Sequence, residues 1–289
     1  MSTPLLGVNL SQSALPGADP VADAQHAEEL GFDFVSCSDH LAGTHPSFET
    51  WTTLAWVAAH TSRVRIVTDV LGLPYRHPAV LAKMAESFDR LSGGRLVLGI
   101  GGGGSDAEFS AFGLEVREPR DKVDAMEEAI RILRGLWTER SFTFHGRHFH
   151  TEAAEMEPKP DRAIPVWTGS YGNRSLAVTG RLADGWIPSF RFAPPDRARG
   201  MTDRIRRAAE EAGRDPAELA YAYNVGIRVD EREDPRPYVV SGPPHRCAEQ
   251  LRAFLAIGFT ALNLWPAGPD PAGQRERLAT EVAPLVRSA

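Results

Sequence analysis

The sequence is poor in cysteine and lysine and has no long apolar run. The 289 residues include 2 cysteines, Cys37 and Cys247, which are too few for a disulfide framework. This scarcity predicts a reducing compartment, and we expect a cytoplasmic protein. No stretch approaches the ~18 consecutive apolar residues of a membrane-spanning helix. The first ten residues, MSTPLLGVNL, lack the basic and apolar regions of a signal peptide, so none is expected.

An excess of positive charge is also missing. Lys and Arg total 32 against 38 Asp and Glu, and the formal net charge is −6. Only Lys83, Lys122 and Lys159 are lysines, and the remaining basic residues are arginines. A protein that binds nucleic acid or an anionic membrane surface normally carries a basic patch, so neither partner is expected. A small-molecule substrate is the remaining expectation.

Short apolar runs alternate with amphipathic segments along most of the chain. The predicted strands cover 5–10, 32–36, 64–70, 95–100, 165–168, 184–188, 219–225 and 261–265. A predicted helix follows each strand, and this alternation is typical of a parallel sheet. Eight such units predict closure into a (β/α)8 barrel, an α/β fold, although an open doubly wound sheet with a second domain is the alternative. We expect a single domain, 1–289, with a small hairpin in an inserted segment at roughly 138–163.

In such barrels the active site lies in the loops that follow the strands. The second predicted strand is followed by Asp39 and His40, an acid–base pair in either a catalytic site or a helix cap. Asp69 and Val70 end the third strand. A glycine run follows the fourth, where Gly101, Gly102 and Gly103 allow close approach of a flat ring or a phosphate, and Glu108 comes shortly after it. The spacing of Gly99, Gly101 and Gly104 also satisfies a dinucleotide-binding motif, but that motif normally opens the helix of the first unit.

The loop after the fifth strand has the character of an anion site. Small residues precede a predicted helix, and the candidates are Gly169, Ser170, Tyr171, Gly172 and Arg174. Free N–H groups at a helix N-terminus bind phosphate well, although ordinary helix capping gives the same pattern. His145, His148 and His150 lie close together in the predicted hairpin, but no ligand set with metal-binding spacing accompanies them, so no metal is expected.

Several segments together resemble the luciferase-like flavin-dependent oxidoreductases, especially the branch that uses coenzyme F420. The matching segments include Ser38–Leu41 (SDHL), Thr61–Arg65 (TSRVR), Tyr75–Lys83 (YRHPAVLAK), Asp89–Arg95 (DRLSGGR) and Arg181–Trp186 (RLADGW). The block from Thr61 to Arg95 is the most specific, and the resemblance extends over nearly the whole chain. One departure is Gly104-Ser105-Asp106, where relatives carry a bulky residue after the glycine run.

The resemblance implies a luciferase-like TIM barrel whose mouth holds the cofactor ring. It further implies a cis peptide bond at Asp69–Val70, contact of Asp39 and His40 with the cofactor, and a second acid or base at Glu108. The turn containing Gly169 and Arg174 matches the family's phosphate-binding turn. The implied activity is hydride transfer between F420 and a small organic substrate, with His40 and Glu108 as catalytic residues.

The alternative is an FMN-dependent monooxygenase that uses O2 and a separate reductase, and a third hypothesis is a flavin-binding protein without catalysis. Members of the family often pair, so a homodimer is also expected.

Overall fold

The computed structural model describes residues 3–232 and 234–288 and consists of a parallel barrel surrounded by helices. The strands are β1 (Leu5–Asn9), β2 (Phe34–Cys37), β3 (Arg65–Thr68), β4 (Leu71–Gly72), β5 (Leu96–Gly101), β6 (Phe142–His145), β7 (His150–Ala154), β8 (Val166–Thr168), β9 (Gly185–Trp186), β10 (Ala220–Val229), β11 (Val239–Gly242) and β12 (Ala261–Pro266). The helices are α1 (Pro20–Glu29), α2 (Thr50–His60), α3 (Pro78–Leu91), α4 (Asp106–Ala111), α5 (Pro119–Thr138), α6 (Asn173–Leu182), α7 (Pro195–Glu211), α8 (Pro244–Ala256), α9 (Pro271–Arg277) and α10 (Ala283–Arg287).

The barrel wall follows the order β10-β12-β1-β2-β3-β5-β8-β9, and pairing of β9 with β10 closes it. All of these pairs are parallel, so the strand C-termini share one end of the barrel. The predicted (β/α)8 barrel is therefore confirmed, and the open doubly wound sheet is wrong. The strands of the barrel are buried on both faces, because helices cover the outside and the side chains of the strands themselves fill the inside.

Local signals place the helices around this wall. Asp19 caps α1 by accepting hydrogen bonds from the amides of Val21 and Ala22, and Pro20 takes the first helical position. Glu49 caps α2, and His77 caps α3 ahead of another proline. The strongly amphipathic α5 buries one face, which includes Met126, Ile130 and Leu133, as its apolar stripe predicts.

Four local features differ from the sequence-based expectation. The third predicted strand, 64–70, is interrupted: β3 ends at Thr68, and β4 pairs with β5 after the Asp69–Val70 peptide bond. The last predicted helix contains a π-helical turn, Leu278–Val282, between α9 and α10. The short helix α4 and the strand β11 were not expected. Helix α4 has only 6 residues, which is too short for a clear periodic pattern. Strand β11 is defined by its pairing with β10, and a run of four residues does not predict that contact.

The hairpin formed by β6 and β7 lies outside the barrel, within the range predicted as an insertion. Phe142 of this hairpin packs over Gly135 of α5, where an added Cβ would lie 2.2 Å from the ring. The boundaries of the insertion and the single-domain organisation stay predictions. No helix in the described part of the chain is long and apolar enough to cross a membrane.

Candidate active site

The C-terminal end of the barrel opens into a cavity of about 950 Å³. Its volume falls within the range of cofactor and ligand sites. The walls are rich in aromatic side chains, and the aromatic lining residues are Tyr75, Phe109, Tyr171, Phe190, Phe192, Tyr238 and Trp265. The predicted residues Asp39, His40, Asp69, Val70, Gly101, Gly102, Gly103, Glu108, Gly169 and Tyr171 also line it. The predicted residues Ser170, Gly172 and Arg174 lie outside this lining.

His40 and Glu108 form the acid–base pair of the cavity. The Nδ1 atom of His40 lies 2.8 Å from Oε1 of Glu108. The other carboxylate oxygen of Glu108 accepts hydrogen bonds from the Leu41 amide and the Tyr75 hydroxyl, each at 3.2 Å. Burial opposes ionisation of Glu108, but the hydrogen bond and charge of His40, with further hydrogen bonds from Ser105 and Tyr75, outweigh it and lower the pKa of Glu108.

An ionised Glu108 can only accept the hydrogen bond that it shares with His40, so the Nδ1 atom of His40 carries the hydrogen and the Nε2 atom remains for a ligand. The imidazole is 65% exposed, whereas the Glu108 side chain is 15% exposed. The imidazole is thus accessible from the cavity, and its Nδ1 atom is held by the more buried Glu108. This is the geometry expected of a histidine that exchanges protons with a substrate.

Asp39 uses its carboxylate inside the protein. Arg76 contacts both carboxylate oxygens, at 2.8 and 3.2 Å, and the Gly72 amide donates a further hydrogen bond at 2.9 Å. The Asp39 side chain is fully buried, and the same guanidinium also pairs with Glu49. Asp39 therefore fixes the loop that carries His40, and its predicted contact with the cofactor stays a prediction. The segment containing Arg76 belongs to the family resemblance, but sequence reasoning assigned Arg76 no function.

The floor of the cavity is built on Asp69 and Val70. Their peptide bond is cis, as the resemblance implies. One methyl group of Val70 faces two glycines: an added Cβ at Gly101 would stand 2.9 Å from it, and one at Gly169 would stand 3.0 Å from it. A larger residue at either position would therefore force Val70 to shift. At Gly103, which has a positive φ, the ring of Phe109 occupies the space of a Cβ, whereas Gly104 has no atom within 4 Å of its Cβ position.

Asp69 itself points into the barrel and meets two asparagines. Asn224 donates to one carboxylate oxygen at 2.9 Å, and Asn263 donates to the other at 3.0 Å. Burial raises the pKa of Asp69 to about 7, and the hydrogen bonds from the two amides offset only part of this effect. Neither asparagine was predicted as a site residue. The available signal was a polar residue inside an otherwise apolar strand, in YAYNVGI and ALNLW.

The predicted phosphate turn is only partly directed toward the cavity. Gly169 and Tyr171 line it, and the Tyr171 hydroxyl accepts a hydrogen bond from the Ser189 amide at 3.0 Å. Ser170 is buried, with its carbonyl bonded to Trp186. Arg174 is paired with Asp124 of α5 at 2.5 Å. Anion binding by Gly172 and Arg174 stays a prediction.

The segment before β11 and the loop after β9 also contribute residues to the cavity lining. Arg236 and Tyr238 line the cavity, and Arg236 is paired with Asp234. The guanidinium of Arg191 lies 5.5 Å from the ring centroid of Phe192 and 5.2 Å from that of Tyr238. Glu233, in the same region, lies outside the described residues.

The histidines of the hairpin do not form a cluster with one another, but His148 approaches two carboxylates of α5. Potential ligand atoms of Asp121, Asp124 and His148 lie within 4.8 Å of each other. Arg147 already pairs with Asp121, and Arg174 and Arg120 pair with Asp124. Guanidinium groups therefore neutralise both carboxylates. No sequence pattern indicates this cluster, because the helix and the hairpin approach one another only in the folded chain.

A closed parallel barrel with a carboxylate-held histidine at its C-terminal mouth has the organisation of a barrel enzyme. Comparison with known proteins identifies the particular family. Residues 6–236 match the family model described as luciferase-like monooxygenase, and the chain belongs to this family.

Curated relatives extend over nearly the whole chain. An F420-dependent glucose-6-phosphate dehydrogenase from Gordonia bronchialis is 34% identical, with 98% of this chain and 97% of the relative covered. A protein of the same name from Kineococcus radiotolerans is 27% identical, with 91% of each chain covered. Among solved structures, an F420-dependent secondary alcohol dehydrogenase in complex with an F420–acetone adduct superposes with a TM-score of 0.89 at 20% identity, covering 99% of this chain and 100% of the other. That last similarity concerns the fold.

Proposed function

We propose that this protein is an F420-dependent oxidoreductase that transfers a hydride between the deazaflavin and a small organic substrate. The observation that carries the proposal is the His40–Glu108 pair, which opens on a cavity large enough for a tricyclic ring and a small substrate. The F420-dependent relatives of high coverage support the choice of cofactor.

The residues present fit such a ring. Val70 lies on the floor beside Gly101 and Gly169, and neither glycine has a side chain to block a flat ligand. The indole Nε1–H of Trp265 is buried at the same cavity and has no hydrogen-bond partner among the described residues, so a donor is available for a ring carbonyl or nitrogen. Asp69, Val70, Gly101 and Gly169 would hold the ring, and the loop containing Gly102 and Gly103 would border it.

The chemistry that a bound deazaflavin would supply is hydride transfer to or from the substrate. The protein has to move the accompanying proton. In the direction of alcohol oxidation, His40 Nε2 accepts the proton of the substrate hydroxyl; in the direction of reduction, the same atom returns it. Glu108 keeps the Nδ1 hydrogen in place and stabilises the positive charge that His40 gains, while Tyr75 and the Leu41 amide hold Glu108.

An anaerobic titration with F420 and, separately, with FMN tests the cofactor. We expect micromolar or tighter binding of F420 and at least tenfold weaker binding of FMN. A preference for FMN would contradict the proposal and direct attention to O2 and a monooxygenase reaction. Binding of neither ligand would leave the fold assignment intact and remove the proposed activity.

Association and location complete the proposal. We propose a homodimer formed through α2 and α3, where Trp56, Val80 and Leu91 are exposed, and sedimentation equilibrium tests it. A separate reductase would supply reduced cofactor when the enzyme works in the reducing direction. The free and buried Cys37 and Cys247 suit the reducing conditions of the cytoplasm.

A further inference from the structure

Asp69 is an acid that faces the cavity without a cation. The other two carboxylates of the lining have positive or titratable partners, since Asp39 pairs with Arg76 and Glu108 with His40. Asp69 accepts hydrogen bonds from the neutral amides of Asn224 and Asn263, and its other close polar neighbour, the Trp265 indole, is also neutral. It is 8% exposed, and this remaining exposure is toward the cavity that it lines. A carboxylate in this position loses its last solvent when a flat ligand covers it.

The hydrogen-bond network determines which groups face Asp69. The Ser36 hydroxyl donates to Oδ1 of Asn263 at 3.0 Å, so the Asn263 amide nitrogen is directed at Asp69. Asn263 also donates to Oδ1 of Asn224 at 2.8 Å, so the Asn224 nitrogen likewise faces Asp69. Both neighbours are thus donors. A proton on Asp69 finds no acceptor among these partners and is directed into the cavity.

The remaining groups around Asp69 do not supply positive charge. Its amide donates to the carbonyl of Cys37, a buried thiol whose pKa is raised to about 12, mainly by burial. Tyr171 stays neutral, because burial raises the pKa of its hydroxyl. Three groups that carry or can gain positive charge also line the cavity: His40, Arg191 and Arg236. None of them is hydrogen-bonded to Asp69. The Trp265 indole lies beside Asp69, where its N–H opposes the effect of burial on the pKa of that carboxyl, but the N–H makes no hydrogen bond of normal geometry within the described residues.

We propose that Asp69 takes up a proton when a planar ring ligand fills the cavity, and that the protonated acid and the Trp265 indole donate to an electron-rich edge of that ligand. The inference rests on the proposed function for the identity of the ring, a deazaflavin. Covering the cavity floor removes water from Asp69 and favours the neutral form, and the hydrogen bond to the ligand requires that form. Ligand binding and proton uptake are then coupled, so affinity falls as the pH rises.

Proton uptake is measured directly by isothermal titration calorimetry in buffers of different ionisation enthalpy. With the folded pKa of Asp69 at about 7, F420 should bind about fivefold more weakly at pH 8 than at pH 7, with most of one proton taken up at pH 8. In Asp69→Asn, the proton uptake and the pH dependence of affinity that come from Asp69 should disappear. The same ligand is used with both proteins, so its own ionisation cancels in the comparison.

Two further variants separate Asp69 from the other titrating and donating groups. His40→Gln keeps Asp69 and should keep the proton uptake. Trp265→Phe removes the indole donor and should weaken binding, and proton uptake that depends on Asp69 should persist with its midpoint at higher pH, because the indole lowers the pKa of Asp69. If Asp69→Asn does not fold, carbon-13 NMR titration of aspartate carboxyls in the wild type replaces it: the resonance titrating near pH 7 should move to higher pH when ligand is added.

The outcomes distinguish the two proposals. F420 binding with equal proton uptake in wild type and Asp69→Asn, or tighter binding at higher pH, would overturn the role of Asp69 and leave the cofactor assignment standing. FMN binding with proton uptake that depends on Asp69 would overturn the cofactor and retain the coupling. Binding of neither ring would overturn both.

Discussion

At the scale of single residues, the catalytic proposal depends on two side chains that are 68 positions apart in sequence and 2.8 Å apart in space. Each has a separate support. His40 follows a strand whose loop is fixed by the buried Asp39–Arg76 pair, and Glu108 is held by Tyr75 and a backbone amide. Rotation of either side chain would break the contact. In the proposed mechanism, proton transfer at His40 Nε2 therefore depends on the position of Glu108, although the imidazole itself is exposed.

Replacement of Glu108 by glutamine should reveal this dependence. The amide keeps the size of the side chain but cannot stabilise a charged imidazole, so we expect kcat to fall about a hundredfold or more with little change in cofactor affinity. Tyr75→Phe is the matched control: it removes one hydrogen bond to Glu108, and its loss should stay below about tenfold. Steady-state kinetics and a fluorescence titration of the cofactor provide the two readouts. Wild-type turnover in Glu108→Gln would eliminate the acid–base assignment.

At the scale of secondary structure, the ends of three strands meet around one side chain. Val70 follows β3, Gly101 ends β5, and Gly169 follows β8, so the two neighbouring strands bring both glycines to one methyl group of the valine. The glycine run does more than allow a ligand to approach. It makes room for the chain's own side chains, because Gly103 faces Phe109 and Gly102 faces Lys122 in the same way.

Substitution of Gly101 by alanine should disturb the floor without preventing folding. The new methyl group would lie 2.9 Å from a terminal methyl of Val70, so Val70 has to shift toward the cavity. We expect cofactor affinity to fall about tenfold, since a displaced floor misplaces the ring. Gly104→Ala is the control within the same loop, because no atom lies within 4 Å of the added Cβ. Equal cofactor affinity in the two variants would show that Val70 does not set the floor, and Gly101→Ala with Val70→Ala should recover part of the loss.

At the scale of the whole molecule, the buried polar network couples the cavity to stability. Asn9, Ser36, Asn263, Asn224 and Asp69 form a hydrogen-bonded chain across the barrel interior. Asp69 ionises near 3.8 in an ordinary environment but retains its proton to about pH 7 in the fold. Between these values the unfolded chain binds fewer protons than the folded one, so the contribution of Asp69 to stability is complete below 3.8 and is lost as the pH rises through 7.

Comparison of wild type with Asp69→Asn by urea unfolding tests this coupling. The stability of the wild type relative to the variant should decrease between about pH 4 and pH 7 and then level off, because asparagine does not titrate. Other carboxylates titrate in both proteins and cancel; Glu28, for example, has its pKa lowered to about 2 by hydrogen bonds from the 62–64 amides, which outweigh its burial. A stability difference that does not vary with pH would show that Asp69 is ionised in the fold.

The sequence by itself determined the order of strands and helices, the closed barrel and the loops that form the site. These follow from local periodicity, caps and turn residues, and from the rule that parallel strands share one C-terminal end. His40, Glu108 and the Asp69–Val70 segment were found in this way and through the family resemblance. Arg76 was not, because the carboxylates that it binds come from other loops.

Only the tertiary structure decided how these residues are used. The register of β10 and β12 places Asn224 and Asn263 level with each other, and the curvature of the barrel brings both to Asp69, a contact over 155 and 194 positions. Burial, rather than residue type, then raises the pKa of Asp69 to about 7. Asp39, one loop away, is paired with the guanidinium of Arg76 instead. Charge state and hydrogen-bond partner depend on distances across the barrel, and local sequence patterns contain no information about those distances.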